Sequence, residues 1–136
     1  MTNGDESGII REESQNPITP ISDNAIERVQ KISISGYSDE QCDFIQQQHK
    51  ELLKFSRENN NCNETAFVFQ KGLTGKSAFL GSDDILDFGD SLTNKGTDLF
   101  VMHNHPRNGS YSTTDLVFFA TNSNVKTLTI VNSTML

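Results

Sequence analysis

Residues 101–116 read VMHNHPRNGSYSTTDL and hold two histidines one residue apart, a proline directly behind them, and a serine and an aspartate a short way on. If the front of this stretch is a strand, its side chains alternate between faces, so His103 and His105 point the same way from attachment points roughly 6 to 7 Å apart. Two imidazoles placed like that can converge on one ion. A hydrolytic zinc site typically takes three protein ligands at about 2 Å and leaves a fourth position to water, whose pKa falls to about 7. Asp115 is the candidate third ligand, because the loop behind Pro106 lets the chain reverse and bring the first turn of a following helix beside the strand end. The water also needs a proton acceptor close to the ion but not bound to it, usually a carboxylate. Glu64, at the start of a predicted neighbouring strand, is in reach of that role.

The elements that must position these residues can be read from local pattern. Ser38 opens SDEQ, a capping-box signature, and Cys42, Ile45, Leu52 and Leu53 then follow one helical stripe to about Arg57, where ENNNCN ends it. ETAFVFQ (64–70) alternates and is rich in β-formers, KGLTG is a turn, and KSAFLG returns as a hairpin partner. TDLFVMHNH is a buried strand stopped by Pro106, which has no N–H for a ladder. Ser112 caps a helix from about Thr113 to Asn122, and VKTLTIV is a last strand. KISIS (31–35) alternates as a short edge strand, and SDDILDFGDSLTNKG (82–96) is either a short helix or a long loop. Residues 1–24, acidic and polar with Pro17 and Pro20, show no apolar period and are expected to be an unstructured tail, leaving residues 25–136 as one metal-binding domain of α/β or α+β class.

This constellation resembles the JAB, or MPN+/JAMM, zinc metalloproteases, whose pattern is an upstream glutamate, then His-x-His-Pro, then Ser-x-x-Asp. Here Glu64, HNHP at 103–106 and STTD at 112–115 stand in that order, and the HNHP spelling is most similar to the RadC-like prokaryotic branch. More loosely, ISDNAIERV and QQQHKELLKFSRENN are similar to the lead-in of JAB domains at the ends of some bacteriophage head-associated proteins. The resemblance implies a mixed sheet flanked by helices, zinc held by His103, His105 and Asp115, Glu64 as the group that activates water, and the Ser112 hydroxyl as the donor to the tetrahedral oxyanion. It implies hydrolysis of peptide or isopeptide bonds, in a peptide or in a protein with a ubiquitin-like tail. Two departures stand out. The interval from His105 to Ser112 is one residue shorter than in the common eukaryotic pattern, a spacing that Thr113 would restore at the cost of the Ser-x-x-Asp register. The sequence also stops soon after VKTLTIV, where family members continue with more sheet, so a truncated core is the expectation.

Composition narrows the alternatives. With 136 residues the chain has room for a single modest core. A net charge of −7 and a pI near 4.8 speak against a nucleic-acid partner or an anionic membrane surface, which call for clustered Lys and Arg. Two cysteines, Cys42 and Cys62, are too few for a disulfide scaffold, and no apolar run has signal-peptide or membrane-span length, so a soluble cytoplasmic protein is expected. Asp83, Asp84, Asp87, Asp90 and Asp98 compete with Glu64 as upstream carboxylates, but Glu64 alone combines the residue type with a strand start. His49 reads as a packing or surface residue of the first helix, and the nine phenylalanines as core. Two rival readings are a degenerate JAB-like module that serves as a non-catalytic interaction domain, and a cupin. The latter wants a glutamate a few residues beyond the second histidine, where PRNGSYS supplies none.

Overall fold

The ladder that decides the architecture is β5 (Leu99–Asn104), in which all six residues are buried. Such a continuously buried run, apolar from Leu99 to Met102, marks a strand covered on both faces. It pairs antiparallel with β2 (Thr65–Gln70) on one side and parallel with β6 (Val125–Val131) on the other. β3 (Thr74–Leu80) completes the order β3-β2-β5-β6 as the hairpin partner of β2. The parallel step from β5 to β6 requires a crossover, supplied by α3 (Thr113–Thr121). The computed structural model describes residues 8–133 and is an α+β protein.

Each face of the sheet carries its own cover. On one side α2 (Asp39–Asn59), started by the full Ser38–Gln41 capping box, packs Ile45, Leu52 and Leu53 on Phe67, Phe69, Phe100 and Met102. On the other side α3, β1 (Ile9–Arg11) and β4 (Ile85–Asp87) lay Phe118, Ile10 and Leu86 over Ala66, Val68, Leu99 and Val101. Alternation along β5 therefore sends Phe100 and Met102 to the α2 side, and sends Leu99, Val101 and His103 to the α3 side. The candidate site lies on that second face, at the C-terminal end of β5.

Three local expectations do not hold. The unstructured tail of residues 1–24 is instead ordered from Gly8: Ile9–Arg11 form β1, Ile10 and Ile21 are core residues, and Ser22 caps α1 (Asp23–Glu27). Residues 1–7 lie outside the described part. The partner of β1 is β4, with Ile9 opposite Asp87, so both strands owe their existence to a contact far apart in sequence. That pairing also replaces the helix or long loop expected over residues 82–96. KISIS forms no strand: Ile32 is exposed, only Ile34 leans on the core, and Lys31 reaches Asp39 and Asp43 on α2, so alternation there meets no sheet.

Phe118 is the side chain that seats α3. It is fully buried, and its ring centroid is 5.3 Å from that of Phe88. Phe118→Ala is expected to cost about 3 to 5 kcal/mol, the range for deleting a buried phenylalanine, and urea unfolding of the two proteins checks it.

Candidate metal centre

Sheet register brings the first three groups together. Ala66 lies opposite His103 in the antiparallel ladder, and extending that register by two residues sets Glu64 opposite His105. Glu64 is fastened at the mouth of the β2–β3 hairpin, where its N–H donates to Ser82 O at 2.8 Å and its carbonyl accepts from Gly81 N at 2.7 Å. Gly81 cannot carry a side chain, since a Cβ would run into the Ile85 carbonyl and lie 2.9 Å from Glu64 O. Across the ladder Asn104 Oδ1 accepts from Thr65 N at 2.6 Å and locks the two strand ends together.

The fourth group arrives on α3. Ser112 is the N-cap: its Oγ accepts from Asp115 N at 3.0 Å, while Asp115 Oδ2 accepts from Ser112 N at 3.1 Å. This reciprocal box fixes the aspartate rotamer and aims the carboxylate at the histidines. Asp115 Oδ2 is 3.1 Å from His105 Nε2, and Oδ1 is 3.4 Å from His103 Nε2. The two Nε2 atoms face one another at 3.1 Å, and Glu64 Oε2 stands 4.0 Å from His103 Nε2.

Glu64, His103, His105 and Asp115 thus form one buried group whose ligand atoms all lie within 4.8 Å of one another, an arrangement that could hold a metal ion. The donors suit one. Ligand atoms about 2 Å from a tetrahedral ion sit a little over 3 Å apart, close to the spacing of the two imidazole nitrogens and Asp115. Both oxygens of Glu64 and Oδ1 of Asp115 are buried without a hydrogen-bond partner, a costly condition that a cation would relieve. His105 Nδ1 lies 3.0 Å from the Gly109 carbonyl, which can only accept; Nδ1 therefore bears the proton and Nε2 keeps the lone pair a metal needs. The structure brings Glu64, His103, His105 and Asp115 into one cluster. Of the competing carboxylates, Asp83 pairs with Arg107, Asp87 caps a turn at Gly89, and Asp98 faces Lys71.

Electrostatics point the same way. Burial pushes the Glu64 carboxyl well above the ordinary range, and the nearby Asp115, Glu12 and Asp84 push it further. Burial also lowers His103, against the pull of Asp115. Burial alone would raise Asp115, yet the facing His103 and His105 rings hold it below the usual carboxylate values. Without a cation the pocket therefore favours a neutral Glu64 beside a charged Asp115.

Ser112 is placed differently from what an oxyanion donor needs. Its hydroxyl donates to the Arg11 carbonyl of β1 while it accepts from Asp115 N, so both its functions in the structure are structural. Sequence reasoning missed Glu12 altogether. This glutamate is only 2 % exposed and accepts from Arg107 N at 2.7 Å and Gly109 N at 2.5 Å, and it stands 3.8 Å from His105 Nδ1. The signal available for it was the pair Ile10 and Glu12, two residues apart and so on one face of a strand. His49 is buried on the opposite face, bonded to Thr129 Oγ1 and lowered to about 4 by burial and by His103. Cys62 takes no part in the cluster.

Protein-family models, curated proteins and solved structures offer no match to this chain. No helix among the described residues is long and apolar enough to cross a membrane.

The raised Glu64 carboxyl gives a pH test on metal-free protein. A group that holds its proton more tightly folded than unfolded contributes stability in full below its unfolded value, near 4.5, and loses it as pH rises through the folded value. Glu64→Gln stays neutral throughout and lacks that loss. Thermal unfolding from pH 5 to 8 in the presence of a chelator should show the wild type falling relative to Glu64→Gln; parallel curves would mean that Glu64 is not held neutral by burial.

Proposed function

We propose that the chain is a zinc-dependent hydrolase of peptide or isopeptide bonds, of the JAB/MPN+ kind. The observation that carries this reading is the convergence of two imidazole Nε2 atoms and an aspartate within 3.1 to 3.4 Å of one another, with a second carboxylate set a step back at 4.0 Å. Three close donors and one withdrawn carboxylate match a catalytic site better than a closed four-ligand structural one. His103, His105 and Asp115 would hold the ion. When bound, it would supply Lewis acidity toward an amide carbonyl and toward water.

The remaining chemistry falls to the chain's own groups. Glu64 would accept a proton at Oε2 from water and return it to the leaving amine; its burial and its acidic neighbours raise its affinity for protons above that of an ordinary carboxylate. A cation close by works against that elevation, so the working value reflects both. The Gly109 carbonyl keeps the His105 ring in its ligating tautomer. Ser112 would donate to the developing oxyanion only after its hydroxyl leaves the Arg11 carbonyl.

A second reading draws on that same bond and on the complete burial of all four side chains: a degenerate JAB-like module that binds a partner without hydrolysis. Metal analysis of the purified protein, followed by a screen against fluorogenic peptides and isopeptides, separates the two. Zinc without turnover favours the module, and absence of any bound metal rules out the hydrolase.

Two substitutions sharpen the result. Glu64→Gln should retain the metal and lower turnover by about 100-fold or more, the usual contribution of a positioned general base; loss of metal would make Glu64 a ligand instead. Ser112→Gly preserves capping to within a few tenths of a kcal/mol, so a turnover loss of about 100-fold with metal retained would assign the hydroxyl to the oxyanion. That loss is the expected outcome. Near-normal turnover would leave Ser112 as cap and tether alone.

A further inference from the structure

Everything that separates the candidate metal centre from solvent on the β1 side comes from one short stretch near the N-terminus. It touches both the loop that leaves His105 and the start of the helix that bears Asp115. The Arg11 carbonyl takes the Ser112 hydroxyl, and Glu13 accepts from Thr113 N at 3.1 Å and from Thr114 Oγ1 at 3.3 Å, at the start of the helix that bears Asp115. Glu12 takes the backbone N–H groups of Arg107 and Gly109, in the loop that leaves His105. Gly109 has no room for a side chain there, since a Cβ would lie 2.9 Å from Glu12 Oε2. Farther on, Thr19 N donates to Pro106 O at 2.9 Å, and Arg107 Nη1 to Asn16 O at 2.9 Å. With these ties made, Glu64, His103, His105 and Asp115 are each no more than 1 % exposed.

The stretch's remaining bonds are the Ser14 and Asn16 side chains on the Arg107 carbonyl, Asn108 on Thr19 Oγ1, and the Glu12 and Gly8 backbone on Asp84 and Phe88. β1 is three residues long and pairs only with the equally short β4. Ile10 is its one apolar anchor in the core, and most of residues 13–17 are exposed. A two-stranded ribbon of this size has marginal stability of its own, so the polar ties to the site loop carry much of the attachment.

We propose that residues 8–20 are a releasable strap that shuts the metal centre against peptide-sized substrates, with the Glu12 carboxylate as its clasp on the His105 loop. The strap is an autoinhibitory device. A peptide bond has to come within bonding distance of the cluster, and no such path exists while β1 lies across the Ser112 cap and the loop. Lifting of the strap frees two backbone N–H groups as Glu12 lets go and the Ser112 hydroxyl as the Arg11 carbonyl does, which opens the site and releases the donor the chemistry would use. The inference rests on the hydrolase reading for its purpose, though not for its geometry.

Hydrogen exchange and zinc transfer test it together on the full chain. In Glu12→Gln one acceptor oxygen becomes an NH2 group facing a backbone N–H. Amide exchange over residues 107–113 should then rise by about tenfold or more, the effect of leaving a buried N–H without its acceptor, while β2 and β5 keep wild-type protection. Transfer of bound zinc to a colorimetric chelator should speed up in the same variant at unchanged zinc stoichiometry. Unchanged exchange over 107–113, or a rise shared equally by β2 and β5, overturns the strap. If Glu12→Gln does not fold, Asn16→Ala, which removes the Nδ2 bond to Arg107 O, combined with Arg107→Ala, which removes the Nη1 bond to Asn16 O, cuts the exposed ties and should give the same local pattern. A wild type that takes up no zinc overturns the metal reading, and the exchange comparison still decides the strap.

Discussion

Four ionisable side chains are buried together, and the rest of the molecule is arranged around that fact. Two imidazoles and two carboxylates packed this tightly are costly to bury, since each loses its hydration and two of the four keep unpartnered oxygens. The histidines and Asp115 offset part of the cost among themselves, and the neutral form of Glu64 avoids another part. A divalent cation would compensate the remainder, and the donor set could hold one.

Several elements serve stability and site geometry with the same bonds. The capping box that starts α3 is also what aims Asp115, so the bonds that satisfy the helix terminus also orient a proposed ligand. The Asn104 side chain closes the β2–β5 ladder on one face while its neighbours His103 and His105 form the cluster on the other. Glu12 is a buried carboxylate whose two oxygens are both used by backbone N–H groups, which rigidifies the loop that in turn sets the His105 tautomer. Rigid support of this type is what a site needs to hold ligands in place before any ion binds.

Much of this was legible in the sequence, and the missing part has one physical character. The Ser38 and Ser112 caps, the long helix, the hairpin and the buried β5 strand are all set by neighbours within a few residues, and each appears where local pattern put it. His103, His105, Asp115 and Glu64 were found because His-x-His on a strand and a capped aspartate are also local signals, with Glu64 added by its strand start. What local pattern could not show is the pairing of Ile9–Arg11 with Ile85–Asp87, two three-residue strands with no periodicity long enough to register. From that pairing follow the misplaced tail, the overlooked Glu12 and the unexpected partner of Ser112. The polar composition that made residues 8–20 look like solvated chain is the same composition that lets them bind backbone groups of the site loop.

X-ray absorption at the zinc edge on protein loaded with one equivalent of zinc addresses the metal centre most directly, because it reads donor type, number and distance without any substrate. The proposed site predicts two histidine nitrogens and at least one carboxylate oxygen at about 2 Å, no sulfur, and a weakened histidine signature in His103→Ala. A first shell of water oxygens alone, or a sulfur scatterer from Cys42 or Cys62, would contradict it.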